Sequence, residues 1–567
     1  MEAEDKICQN CKKDFTIESE DFNFYEKIKV PAPTWCPECR MIRRMSCHNG
    51  WYLFYRDCDK CGKRALSMYP PEQKITVYCQ PCWWEDSWDG TEYGMDYDSS
   101  RSFLEQLKQL SEKVPFPSLE SGYLNLKNCD YSNSIGFSKN CTLAIWADYC
   151  ENVYFSSFLN NAKDTADSFR IFKSELCYES IGQNDSYRVF YSKECDACTD
   201  VWFSRNCYSS MYCVGCVNLR GASYQIFNVQ YSKEEYFEKL KEFKLDTRSG
   251  IKKVQKEAEK FWQKHPYRFY TGNTLNLNVT GEYLFNSKNS KEIYIASKAE
   301  NSKWCQFITV SPIKDCMDYS GWGNNAELIY ESVTVGENVS NVKFSAYCVE
   351  DVVDVEYCLW NRSGKNDFGC VSLKRKKHCI LNKEYSKEEY EILREKIIED
   401  MKINPYVDEK GRIWTYGEFP QIVFGKFAYN NSTAYKFCPK TKEEALRDGY
   451  FWNDEVEQQS KATISGNDLP ETISEVDESM LKEVISCTTC DRRYKIAGLE
   501  FDLLRKMNIP LPDRCLKCRE KSRFDKLQMP KLYNRTCAKC DKMIRTSYAP
   551  ERPEIIYCEK CYQQEFI

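Results

Sequence analysis

The sequence predicts a mainly β protein: a duplicated, β-solenoid-like (parallel β-helix-like) centre with short helices, flanked at each end by a double four-cysteine module. Three observations carry this prediction. Cysteines in C-x-x-C pairs gather at both ends of the 567-residue chain. The two end segments repeat each other, and two central segments do the same. Short apolar triplets separated by Asn, Ser and Asp fill the centre.

The end modules come first. The early pairs are Cys8/Cys11, Cys36/Cys39, Cys58/Cys61 and Cys79/Cys82, and the late pairs are Cys487/Cys490, Cys515/Cys518, Cys537/Cys540 and Cys558/Cys561. Every late cysteine follows its early counterpart by 479 positions without a gap. Phe22/Phe501, Pro31/Pro510, Pro33/Pro512, Arg40/Arg519, Arg56/Arg535 and Tyr78/Tyr557 keep the same offset. Within each module the spacing is C-x2-C-x24-C-x2-C, then C-x2-C-x17-C-x2-C. Two such knuckles complete a tetrahedron of thiolates around zinc, a closed site that is structural and not catalytic. Sixteen cysteines are therefore expected to hold four zinc ions. Sequential pairing of knuckles is the first reading, and cross-braced pairing the alternative. Disulfides or a redox C-x-x-C compete less well, because a redox motif normally occurs once.

In the centre, GCVNLRGASYQIFNVQYSKEEY (215–236) aligns without gaps with GCVSLKRKKHCILNKEYSKEEY (369–390), offset by 154. Each copy ends in a capping box, Ser232 with Glu235 and Ser386 with Glu389, and so runs into a helix. Thr441 and Glu444 form a third. Apolar triplets at intervals of about 18–21 residues suggest rungs of a solenoid; an antiparallel β-sandwich is the alternative. The resulting partition is 1–85, double zinc-ribbon module; 86–117, aromatic and helical connector; 118–245, first β-repeat half; 246–275, helical linker; 276–402, second β-repeat half; 403–482, mixed segment and acidic linker; 483–567, second double module.

Other residues carry weaker signals. Cys195/Cys198 and Cys213/Cys216 admit a fifth metal site. The second copy keeps only Cys370 opposite Cys216, with Val349, Val352 and Asp367 opposite the others, so a buried cysteine ladder is preferred. The aromatic run WWEDSWDGTEYGMDYD (83–98) reads as a packing plug, with base or sugar stacking the alternative.

The chain has a net charge of −5, 42% hydrophobic residues and only three histidines. Little material exists for histidine-based catalysis. The start, MEAEDKICQNCKK, lacks an apolar signal-peptide core, and no run of about 18 apolar residues is present. Thiolates in a reducing cytoplasm are expected, with no membrane association and no small-molecule cofactor.

ICQNCKKDFTIESEDFNFYEKIKVPAPTWCPECR and ISCTTCDRRYKIAGLEFDLLRKMNIPLPDRCLKCR resemble the zinc-ribbon, treble-clef-like domain family. With YAPERPEIIYCEKCYQQE, the duplicated YSKEEY and TKEEALRDGYFW, the chain resembles an uncharacterised family of zinc-ribbon proteins from uncultured small-genome bacteria and large DNA viruses. The resemblance implies zinc binding, an intracellular setting and no established activity. Some members carry a CaiB/BaiF CoA-transferase label. No strand–GxGxxG–helix pattern and no alternating βα series supports that label here.

The expected function is an intracellular scaffold, not an enzyme, that binds a protein partner or self-assembles through its ribbons and solenoid surface. The alternative is nucleic-acid or ribosome binding. Arg40, Arg43 and Arg44 follow the first module's knuckle, and Arg519, Lys521, Arg523, Lys526 and Arg535, interleaved with Phe524 and Tyr533, follow the last. The segment from Cys487 onward is basic by about seven charges. A solvated basic face is the bland account of the same residues. A β-solenoid enzyme would need a carboxylate pair; Asp351 and Asp354 are candidates, but no pair stands out.

Overall fold

The computed structural model describes residues 2–454 and 461–566. The chain divides into two compact units, each built from two stretches of sequence. Unit 1 joins Met1–Glu120, with the first double module, to Gly272–Asn453, with the second β-repeat. Unit 2 joins Ser121–Thr271, with the first β-repeat, to Asp454–Ile567, with the second double module.

The first repeat is the more regular. From Asn133 to Val214 it consists of four-residue strands separated by two-residue bends, with single bridges replacing some strands in its later part. Strands pair in parallel with the segment twelve residues on: Glu151 with Lys163, Lys163 with Glu175, Ser157 with Phe169. Consecutive strands thus alternate between a nine-stranded and a five-stranded sheet. Parallel register removes the antiparallel sandwich. The interval is twelve residues, not the expected 18–21.

The backbone explains the twelve. Every third residue from Asn128 to Phe227 has a positive φ, glycine or not. Each left-handed residue turns the chain, and for most side chains that conformation costs about 1–2 kcal/mol. Asn and Asp tolerate it best, and they hold several of these positions, such as Asn140, Asn152, Asp164 and Asp185. Every third residue from Ser132 to Cys216 is buried, and nearly all are Ser, Cys, Ala, Val or another small side chain. Four triplets make one twelve-residue register.

Inward serines tie successive registers together. The hydroxyl of Ser204 donates to Trp202 O at 2.9 Å and accepts from the N–H of Cys216 at 3.0 Å. Ser180, Ser186 and Ser192 repeat the pattern twelve residues apart or in the adjacent column. Buried N–H groups at the corners are thereby satisfied, which offsets part of the left-handed strain.

The second repeat forms a 14-stranded sheet whose pairings are parallel up to a final hairpin. Its register stretches to 13 or 14 residues in places, as in Met317 with Tyr330 and Ala299 with Ile313. Both repeats finish alike. Ile226 pairs antiparallel with Val229, and Ile380 with Lys383. Asn228 grips the N–H and C=O of Val217, and Asn382 those of Val371. The expected capping boxes are formed at Ser232, Ser386 and Thr441, opening helices Lys233–Phe243, Lys387–Ile403 and Lys442–Arg447.

Trp83 and Trp88 of the aromatic run are buried in unit 1. Trp83 contacts Trp360 edge-on at 6.3 Å, Lys374 Nζ lies 4.1 Å from the Trp83 ring centre, and Asn382 Nδ2 donates to Gly90 O at 2.9 Å. The run packs on the end of the second repeat. The acidic stretch 465–480, expected within a linker, packs into unit 2 through Leu469, Ile473 and Val476. Residues 455–460 of that expected linker lie outside the described residues.

Candidate metal centres and the arginines beside them

Four groups of cysteines converge, each with its four sulfurs within 4.8 Å of one another. They are Cys8/Cys11/Cys36/Cys39, Cys58/Cys61/Cys79/Cys82, Cys487/Cys490/Cys515/Cys518 and Cys537/Cys540/Cys558/Cys561. Each group joins two successive knuckles. Across the knuckles Cys11–Cys36, Cys61–Cys79, Cys490–Cys515 and Cys540–Cys558 stand 3.7, 3.8, 3.6 and 3.7 Å apart. The edge of a tetrahedron with metal–sulfur bonds of ~2.3 Å is ~3.8 Å. Among the described residues no two cysteines are joined by a disulfide.

The four groups share one local design. The first knuckle closes a tight turn: Cys8 N donates to Lys13 O, Cys58 to Lys63, Cys487 to Arg492 and Cys537 to Lys542. One residue after each knuckle is left-handed, Lys12, Gly62, Asp491 and Asp541. The second knuckle opens a helix. Its first N–H then points at the first sulfur: Cys36 N to Cys8, Cys79 N to Cys58 and Cys558 N to Cys537 at 3.2 Å, and Cys515 N to Cys487 at 3.3 Å. Burial opposes ionisation of Cys58, Cys487 and Cys537. Backbone N–H groups outweigh it and lower the thiols to about 7, 7 and 6. Cys8 is lowered too, chiefly by the Cys36 and Cys39 thiols. Each site therefore contains one sulfur poised as thiolate, the form that binds metal.

In the module of unit 1, helix α1 spans Ser19–Ile28 and helix α2 spans Pro37–Met45. Helices α3, Gly498–Met507, and α4, Leu516–Phe524, occupy the same positions 479 residues later in unit 2. Cys36 is the N-cap of α2 and Cys515 that of α4. The metal knuckle thus sets the direction of the helix.

Arginines expected at a nucleic-acid surface lie on these helices and are buried. Arg40, Arg43 and Arg44 are at most 1% exposed. Arg40 Nε donates to Asp318 Oδ2 at 2.9 Å, and Arg44 Nη1 to Asp318 Oδ1 at 3.0 Å. Arg43 reaches Glu418 at 2.7 Å and Glu331 at 3.0 Å. Three cations face three buried carboxylates. Burial opposes the charge on Arg43, but Glu331 and Glu418 outweigh it and raise its pKa. In unit 2 Arg519 and Arg523, one helical turn apart, grip Asp167 at 2.5 and 2.6 Å, and Arg519 also meets Glu500 at 2.7 Å. Arg40/Arg44 and Arg519/Arg523 thus repeat one device: two arginines on the knuckle helix seated on one aspartate of the β-repeat. Arg535 is half-buried and donates to Ala549 O and Glu554 O, as Arg56 does to Pro70 O and Ile75 O in the other module.

Five of the eight predicted basic contacts are consequently committed inside the fold, because a guanidinium buried against carboxylates presents no donor to a phosphate; Arg535 spends two of its N–H groups on carbonyls. Lys521 is exposed and pairs with Asp525 at 2.7 Å; Lys526 is half-buried beside Glu259 at 3.6 Å. Phe524 packs on Phe169 and does not present a stacking face. Cys195, Cys198, Cys213 and Cys216 are fully buried in the first repeat, each thiol directed at the carbonyl two residues before it. Sequence reasoning missed Asp167, Asp318, Glu331 and Glu418. The arginine pair recurring at i, i+4 in both modules was the one available signal.

No protein-family profile and no curated protein matches the chain. Among solved structures, one described as an acetyltransferase from Desulfovibrio desulfuricans G20 aligns with 51% of this chain and 86% of its own, at 8% identity and a TM-score of 0.10. That score carries no argument about fold or activity.

Proposed function

We propose that the protein is a zinc-dependent interaction scaffold that presents a macromolecular binding surface. The carrying observation is the set of four closed cysteine tetrads with tetrahedral sulfur spacing. Four thiolates leave no position for substrate, so zinc in these sites acts by rigidifying the chain. The twelve-residue parallel register is, on this reading, a β-solenoid, an architecture whose stacked faces suit extended binding surfaces. The arginine–aspartate seats then fasten a zinc module to a repeat within each unit.

The test is elemental analysis of protein purified without chelator. Four zinc per chain support the reading, with loss of folded structure on chelation. A metal content near zero in folded protein overturns it.

A further inference from the structure

One helix of unit 2 presents an exposed, lysine-rich face. Helix Arg248–Gln263 buries Ile251, Val254 and Ala258 against the end of the first repeat, among Phe203, Val214 and Ile226. At about 100° per residue, Lys253, Lys256, Lys260 and Lys264 fall opposite, within an arc of about 80°. All four are exposed. They run along the helix to its C-cap residue, Lys264, over about 16 Å. Glu257 borders the arc at one edge. The ion pairs of this helix lie on a flank: Lys252 meets Asp513, and Glu259 meets Lys526 at 3.6 Å. Among the described residues none of the four arc lysines is ion-paired.

The internal duplication supplies a control. The offset of 154 that matches the two repeats sets 402–417 opposite this helix. There the chain forms the hairpin Tyr406–Val407 and Ile413–Trp414 instead. The end of a repeat therefore does not require a lysine-striped helix.

We propose that Lys253, Lys256, Lys260 and Lys264 bind the phosphate backbone of a nucleic-acid strand. The proposal rests on the scaffold reading only in taking the partner to be a macromolecule. A protein partner is the weaker fit. Protein interfaces deplete lysine at their cores and rely on desolvated aromatic or arginine anchors, and this arc contains neither. A linear polyanion needs only spaced point charges, and lysine supplies them. No base-reading group lies within the arc, so binding is expected to be insensitive to sequence.

The experiment uses the full-length, zinc-loaded protein and a labelled 30-nucleotide oligo-dT, with anisotropy followed from about 50 to 300 mM NaCl. Wild type should bind at low salt and weaken steeply. The variant K253Q/K256Q/K260Q/K264Q should lose about 3 from the slope of log K against log salt, four phosphates at ~0.7 each. A control carrying K387Q/K396Q/K402Q on the helix of unit 1 should match wild type. Absence of binding at about 50 mM salt, or an unchanged slope in the quadruple variant, overturns the proposal. So does equal competition by polyglutamate, which would favour an acidic protein. Zinc content, measured in parallel, reports on the scaffold reading separately.

Discussion

Arg519 donates to Asp167 at 2.5 Å with both side chains at most 1% exposed, although 352 residues separate them in the chain. The bond joins the knuckle helix of a cysteine tetrad to a corner of the β-repeat. Asp167 is itself one of the left-handed residues of that repeat. A metal site, a helix and a repeat are thereby coupled through one buried carboxylate.

Arg519→Ala should be severely destabilising. It leaves Asp167 and Glu500 buried without their shared cation, a loss of about 3–5 kcal/mol. Urea unfolding of zinc-loaded protein measures it. Lys521→Ala, two residues on and on the opposite, exposed face of the helix, should leave the midpoint near wild type. Equal midpoints for the two variants would refute the buried-seat account.

Cys36→Ser should remove one zinc and also loosen the second repeat. Cys36 caps α2, and α2 holds Arg40, Arg43 and Arg44 against Asp318 and Glu331. Hydrogen exchange should accelerate in Met317–Gly323 and Tyr330–Gly336 as well as in the module. Cys515→Ser should act likewise on the segment around Asp167. Acceleration confined to 1–85 would show the module to be autonomous.

Ser204→Ala should cost about 1–3 kcal/mol, because the N–H of Cys216 is left buried without an acceptor. Ser204→Cys should cost less. A thiol already plays this part where Cys370 N donates to Cys358 Sγ at 3.3 Å. Thermal melts of the two variants decide the order, and an alanine variant as stable as the cysteine variant would count against the serine ladder.

Asp367 should make stability fall as pH rises. Burial pushes its carboxyl up to about 6 from 3.8, against hydrogen bonds from Asn361 and Cys379. Between those values the folded chain keeps a proton that the unfolded chain has lost. The contribution is therefore full below 3.8 and lost as pH rises through about 6, by about 3 kcal/mol. Asp367→Asn should be more stable than wild type at pH 7.5, and the difference should shrink toward pH 5. A difference constant with pH would show that Asp367 titrates normally.

Some of this was readable from the sequence because it is local. A C-x-x-C turn needs only neighbouring residues, and the 479-residue offset shows the two end modules to be copies of one design, while sequential and cross-braced pairing of their knuckles both fit it. The capping boxes at Ser232, Ser386 and Thr441 are three-residue relationships, and each formed. The repeat is visible in the sequence as apolar triplets, but its twelve-residue interval is not. Eighteen and twenty-one are multiples of the triplet and not of the twelve-residue register, and one-dimensional periodicity does not say how many corners complete a register.

The sequence by itself determined the sixteen paired cysteines, their order and the duplication of the end modules, since these rest on spacing along the chain; which knuckles share a tetrad was decided by the fold. Only the tertiary structure decided the fate of the arginines. Arg40 and Arg519 look like surface cations in a run of basic residues. Their carboxylates, Asp318 and Asp167, lie 278 and 352 residues away. Whether a charged side chain ends in water or in a buried pair depends on what the rest of the chain brings beside it. That is a property of packing, and spacing along one segment carries no record of it.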